Sequence, residues 1–142
     1  MYEVETIFEN ATTVCMTEEV LEAIFDHDGI EPDDLDLKNI PAGLLEKIRY
    51  WSLAGFRRHE GSKGRPIKYE GKGVYRLGLK HDLFRVYGFY EDESRKDKFI
   101  AIKAWGEKQG TSNTSRERAV IREVQRVIQD GDWIEGQSSD EG

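Results

Sequence analysis

The chain has little of the chemistry that holds disulfide-rich or metal-binding proteins together. It contains one cysteine, Cys15, which excludes an internal disulfide and a cysteine-based zinc site. The three histidines, His27, His59 and His81, are scattered along the chain and match no metal-ligand spacing. We therefore expect no metal and no cofactor. Cys15 lies in an apolar segment and is expected to be a buried small hydrophobe.

Long apolar runs are also missing. No segment approaches the roughly 20 apolar residues that a membrane-spanning helix needs. The first ten residues are acidic, whereas a signal peptide is basic and then apolar. We expect a cytoplasmic protein without membrane contact. Nothing in the sequence matches a Walker loop or a nucleophile elbow, so the common nucleotide hydrolase and esterase classes are not indicated.

The charge of the chain is unevenly distributed. The net charge is −7, but residues 57–85 hold nine basic and only three acidic side chains. Residues 1–56 hold three basic and 13 acidic side chains. Because salt screens charges beyond about 8–10 Å in the cell, an anion bound at the basic segment would respond mainly to nearby residues. An anionic partner therefore remains compatible with an acidic chain.

The apolar pattern predicts an α+β fold in one domain, as expected for 142 residues. Residues 2–15 predict a strand or a small hairpin, and Thr17 and Gly29 mark the two ends of a first helix. A second helix is predicted over about 41–59, followed by a flexible basic loop that leads into the sheet. A capping box at Thr114 and Glu117 predicts the start of a last helix.

Residues 72–105 predict three consecutive strands joined by two short turns. One set of alternating positions is apolar and is expected to be buried; it includes Leu77, Val86, Ile100 and Ile102. The opposite set mixes cations with aromatic rings: Arg76, Arg85, Tyr87, Phe89, Lys103 and Trp105. Such a mixture suits an open surface that binds unpaired nucleotides, because cations neutralise phosphate and rings stack on bases. The alternative is that another element covers this face and makes it a second core.

The last helix carries a row of arginines at every fourth position, Arg118, Arg122 and Arg126. Such a row is either a solvated face or a ridge that follows phosphates or binds a partner. His81, in a turn of the predicted sheet, is either solvated or an acid or base.

The order of elements and several short segments resemble the RelE/HigB superfamily of bacterial toxins, in particular its HigB-like, phage-associated branch. The matching segments cover roughly the last half of the chain: GVYRLG at 73–78, FRVY at 84–87, IKAW at 102–105, EKQ at 107–109 and 115–119. The resemblance implies a small, mainly antiparallel sheet, made of the three-stranded meander and the N-terminal strand or hairpin. Two N-terminal helices would pack on it, with a C-terminal helix after it. It implies a single RelE-like domain over 1–135, and the composition of 136–142 predicts a disordered acidic tail.

What the resemblance implies about function is the toxin component of a toxin–antitoxin pair, a metal-independent endoribonuclease or mRNA interferase. A general base would take the proton of a ribose 2′-hydroxyl, and cations would stabilise the charge that develops on the phosphate. The catalytic candidates are Arg85, Lys103, Tyr87 and Arg76, and the RNA-binding candidates are Trp105, Lys108, His81, Arg118 and Arg122. The implied partners are mRNA, the ribosome and a cognate antitoxin of helix-turn-helix type. The alternative is a non-catalytic binding or regulatory protein of phage origin.

Overall fold

The computed structural model describes residues 1–61, 64–78, 83–106 and 115–136. The strands are β1 (Tyr2–Phe8), β2 (Thr13–Thr17), β3 (Ile67–Gly71), β4 (Val74–Gly78), β5 (Arg85–Tyr90), β6 (Lys98–Trp105) and β7 (Trp133–Glu135). The α-helices are α1 (Glu18–Asp28), α2 (Leu44–Ala54) and α3 (Ser115–Asp130), and short 3-10 helices lie at Pro32–Asp34 and Phe56–His59. Within these ranges, none of the helices has both the length and the apolar character needed to cross a bilayer.

All seven strands form one mixed sheet in the order β3-β4-β5-β6-β2-β1-β7. The contacts of β2 with β6 and of β1 with β7 are parallel, and the other neighbours are antiparallel. The predicted fold class, a small RelE-like sheet built from a three-stranded meander and an N-terminal strand or hairpin, was therefore wrong. The prediction missed the two edge strands, because β3 carries two charges in five residues and β7 is only three residues long. Segments that short become strands only by pairing with a neighbour.

The helix ends follow from local capping. Thr17 caps α1 by accepting a hydrogen bond from the backbone N–H of Val20 at 3.1 Å, and Gly29 ends α1 with φ of 71°. These two ends confirm the prediction. The second helix is shorter than the predicted 41–59 at both ends: Gly55, with φ of 100°, follows its last residue, and the carboxylate of Asp28 caps its start from a distance along the chain. Its two oxygens accept the N–H groups of Leu44 and Leu45, each at 2.9 Å.

The sheet separates two apolar cores. The first core lies under α1 and α2 and includes Met16, Trp51, Phe56, Leu77 and Phe99. The second core lies under α3, whose Ile121, Val124 and Val127 are buried. Cys15 is fully buried in the second core, as predicted.

A bulge in β6 changes which side chains face each core. Tyr87 pairs with Lys103 and Phe89 pairs with Ile100, so two steps on β5 correspond to three on β6. Ile100 and Ile102 therefore belong to the core under α3, and the prediction that they share a face with Leu77 and Val86 was wrong. Gly88 permits this close approach, because a Cβ there would lie 2.1 Å from the carbonyl oxygen of Ile100.

Candidate functional site

Helix α3 packs on the sheet face that the sequence predicts to bind RNA, the face with the alternating cations and aromatic rings. Tyr87 is fully buried and Phe89 is nearly so, and Trp105 packs against the same cluster while remaining partly exposed. The structure therefore agrees with the alternative interpretation, in which another element covers this face and makes it a second core. The rings at Tyr87 and Phe89 contact apolar side chains of the protein and are not available for stacking on a base.

A carboxylate from α3 holds two of the predicted catalytic residues. Nη1 of Arg85 donates to Oε2 of Glu117 at 3.0 Å, and the hydroxyl of Tyr87 donates to the same oxygen. The Glu117 side chain is 1% exposed, so this contact lies inside the protein. The sequence assigns Glu117 to a capping box with Thr114; Thr114 lies outside the described residues, and the Glu117 carboxylate points to the sheet.

Burial and the bond to Glu117 change the ionisation of both partners. Burial raises the pKa of the Tyr87 hydroxyl, and the adjacent Glu117 carboxylate raises it further, so Tyr87 holds its proton well above its ordinary range. Burial by itself lowers the pKa of Arg85, but the hydrogen bond and charge of Glu117 outweigh it, and the net pKa is raised. Tyr87 is thus a neutral donor and Arg85 a cation already matched with a carboxylate.

The two remaining catalytic candidates also have carboxylate partners. Nζ of Lys103 lies 3.3 Å from Oε1 of Glu19 and 5.3 Å from the centre of the Tyr2 ring. Nε of Arg76 lies 3.4 Å from Oε2 of Glu70. The pairing of β4, β5 and β6 does bring the predicted catalytic residues onto neighbouring strands. A phosphate at this face would have to compete with the carboxylates of the chain itself.

Of the other predicted RNA-binding residues, the structure describes Arg118 and Arg122. His81 and Lys108 lie outside the described residues, as does the predicted tail after Gly136. Arg118 and Arg122 are exposed on α3. The third arginine of that row, Arg126, is within 3.2 Å of three carboxylates, those of Glu123, Asp130 and Asp132.

An open and positively charged groove lies elsewhere, at the β3 edge of the sheet. It has a volume of about 600 Å³ and is lined by Arg57, Glu60, Gly61, Lys68 and Tyr69; we call it the basic groove. The 3-10 helix Phe56–His59 forms one side of it and strand β3 forms the other.

The cations at the basic groove have no carboxylate partner among the residues that the structure describes. Nη2 of Arg57 donates to the backbone carbonyls of Ser94 and Arg95, at 3.0 and 3.3 Å. Arg65 packs on Gly61 at the groove and donates to the carbonyl of Arg58 at 2.9 Å. Within the ranges that the structure describes, no carboxylate forms an ion pair with Arg57, Arg65 or Lys68.

Among the described lining residues of the groove, the one carboxylate is that of Glu60, and it is bonded within the protein. Oε2 of Glu60 accepts a hydrogen bond from the Tyr90 hydroxyl at 2.5 Å, and Oε1 pairs with Nζ of Lys96 at 3.0 Å. Burial raises the pKa of Tyr90, and the bond to Glu60 raises it further. Since Lys96 balances the charge of Glu60, the groove keeps the positive charge of its arginines and of Lys68.

An aromatic ring completes the groove. Tyr69 is 59% exposed, yet its hydroxyl accepts the backbone N–H of Gly73 at 3.0 Å and its ring lies 5.0 Å from that of Tyr75. These contacts hold the ring in one place at the open edge of the sheet. The sequence prediction missed this site because it treated β3 as part of a flexible loop. The signal that could have found it is the charge excess of residues 57–85.

A second groove of about 720 Å³ runs along α1 and is acidic. Its charged lining consists of Glu18, Glu19, Glu22, Asp26 and Glu31. Among the described parts of the chain, no group of acidic, histidine or cysteine side chains has an arrangement that suits a metal ion.

Comparison of the chain with protein-family models, with curated proteins and with solved structures finds no match. The resemblance to the RelE/HigB superfamily therefore stays a prediction that depends on the sequence segments alone.

Proposed function

We propose that the chain is a non-catalytic binding protein and that its basic groove binds an anionic partner. The observation that carries this proposal is the contrast between two sets of cations. Arg57 and Lys68 line an open groove and Arg65 packs on Gly61 of its lining, and none of the three has a carboxylate partner in the described ranges. Arg85 and Lys103, on the covered sheet face, are already matched.

The contrast has an energetic consequence for any anion. An anion that replaced Glu117 as the partner of Arg85 would leave the Glu117 carboxylate, whose side chain is 1% exposed, without that cation. Losing one partner of a buried pair costs about 3–5 kcal/mol, and an anion would first have to offset that cost. An anion in the basic groove displaces water and no carboxylate, so its charge-assisted hydrogen bonds contribute in full.

The proposal is tested with a labelled polyanion, a heparin fragment, by fluorescence anisotropy at low salt. We expect saturable binding that Lys68→Gln weakens by about fivefold or more, since a charge-assisted hydrogen bond contributes on the order of 1 kcal/mol or more. Lys47→Gln is the matched control, because Lys47 is exposed on α2 outside the groove. Binding that the Lys68 variant retains in full, or no binding at all, would refute the proposal.

Endoribonuclease activity at the sheet face is the second candidate, supported by the sequence resemblance and by the position of the predicted residues on neighbouring strands. Expression from a tight promoter, with mapping of transcript 5′ ends, tests it directly. Growth arrest with new ends inside reading frames, abolished by Arg85→Ala or Lys103→Ala in protein that stays folded, would establish the nuclease. Normal growth with intact transcripts would favour the binding protein.

A further inference from the structure

We infer that the basic groove is a binding site for a nucleoside phosphate, with the base on Tyr69 and the phosphate on Arg57 and Lys68. The inference rests on the proposed function and adds the chemical class of the partner. The groove volume of about 600 Å³ lies within the range of about 300–1,000 Å³ that is usual for small-ligand clefts. The groove is therefore large enough to enclose a whole nucleotide.

The phosphate half of the site comes from two cations of different geometry. The guanidinium of Arg57 is oriented by the carbonyls of Ser94 and Arg95, which use one of its nitrogens and leave other N–H donors for a ligand. Lys68 lies directly opposite Arg76 in the pairing of β3 with β4. Arg76 is itself paired with Glu70 at 3.4 Å, so of these two cations Lys68 is the one without a carboxylate partner in the described ranges.

The base half of the site comes from the ring of Tyr69. The ring is exposed and fixed in place by Gly73 and Tyr75, so stacking on it would require little further ordering of the side chain. Every nucleobase has a face that can stack on such a ring. An acidic peptide would use the cations but would have no need of an aromatic platform.

The backbone of Tyr69 adds hydrogen-bonding groups at the same place. The backbone N–H of Gly78 donates to the carbonyl of Pro66. In the antiparallel register, the backbone N–H and C=O of Lys68 therefore face β4, whereas those of Ile67 and Tyr69 face away from it. The carbonyl of Ile67 indeed accepts from Gly61 on the outer side, at 3.1 Å. The N–H and C=O of Tyr69 therefore face the open edge, where they can bond to the edge of a base or to the ribose.

The same chemistry is offered by a free nucleotide and by one unit of a single-stranded oligonucleotide. Isothermal titration calorimetry with AMP, inorganic phosphate, a four-nucleotide oligoadenylate and polyaspartate separates the possibilities. We expect AMP to bind more tightly than inorganic phosphate. If the oligonucleotide binds more tightly than AMP, the natural ligand is a single-stranded nucleic acid. If the two bind equally, it is a free nucleotide. Either result supports the site.

Substitutions at Tyr69 and Lys68 test the base half and the phosphate half of the site separately. Tyr69→Ala should weaken AMP binding by about fivefold or more, the effect of losing one stacked base, and leave inorganic phosphate binding unchanged. Tyr69→Phe keeps the ring and should retain AMP binding, provided that circular dichroism shows both variants folded. Lys68→Gln should weaken AMP and phosphate alike, whereas Lys47→Gln should weaken neither.

The outcomes that overturn the inference differ from those that overturn the proposed function. If AMP binds no more tightly than phosphate, or if Tyr69→Ala binds AMP as well as the parent does, the nucleotide assignment is wrong while anion binding stands. Polyaspartate binding without AMP binding would mean an acidic protein segment and would also leave the proposed function intact. If none of the four probes binds, both are wrong.

Discussion

Replacing Glu117 with alanine is expected to lower the free energy of unfolding by about 3 kcal/mol. The Glu117 carboxylate is 1% exposed and accepts hydrogen bonds from both Arg85 and Tyr87. Removing one member of a buried ion pair costs about 3–5 kcal/mol, because the remaining charge loses its partner. The Arg85 side chain is 24% exposed and can turn partly to water, which places the expected cost at the lower end.

The assay is urea denaturation together with thermal unfolding followed by circular dichroism. For a domain of this size, 1 kcal/mol corresponds to about 3 °C, so the midpoint should fall by about 9 °C. Glu22→Ala is the matched control, since Glu22 is exposed on α1 and its loss should change stability by less than about 0.5 kcal/mol. The double variant Glu117→Leu with Arg85→Met should be more stable than Glu117→Ala, because it leaves no charge uncompensated.

A loss of less than about 1 kcal/mol for Glu117→Ala would refute this reasoning. It would mean that Arg85 and Tyr87 find other partners or water without cost. The covered sheet face would then be easily opened, and the energetic argument against anion binding at Arg85 would fail with it.

Three further predictions concern stability and pH. Asp28→Ala should cost about 1–2 kcal/mol in urea denaturation, because α2 loses the acceptor of two backbone N–H groups; Asp28→Asn, which keeps one acceptor, should cost less. Burial, and then hydrogen bonds to carboxylates, raise the pKa of Tyr87 and of Tyr90, so both should resist ionisation in an absorbance titration at 295 nm until the protein unfolds. Their raised pKa means that stability is retained below about pH 10 and lost as pH rises beyond it, and Tyr87→Phe should reduce that loss. Burial and the charges of neighbouring arginines lower the pKa of His59, so the unfolded chain binds its proton more readily and stability should fall as pH drops below about 6.5. His59→Gln should be less sensitive between pH 7.5 and 5.5, and an unchanged pH dependence would contradict the assignment.

The elements that the sequence by itself determined are those fixed by local interactions. Thr17 and Gly29 set the ends of α1 through contacts within a few residues, and the spacing of Val124 and Val127 is enough to place the buried stripe of α3. The three strands between residues 72 and 105 and the burial of Cys15 follow from the apolar pattern alone. Such signals depend on neighbours along the chain, so they can be read without knowing the fold.

Only the tertiary structure decided which faces are open. Strands β3 and β7 exist because partners distant in sequence pair with them, and the bulge in β6 moves Ile100 to the other core. The alternation of cations and rings on the sheet face predicts a phosphate site, yet α3 buries the rings of Tyr87 and Phe89. Glu117, 32 residues beyond Arg85, binds two of the predicted residues. The basic groove likewise joins Arg57 to Lys68 and Tyr69 across a turn and a strand edge. A charge pattern gives the number of cations, but whether a cation is free for a ligand depends on which carboxylate the fold places beside it.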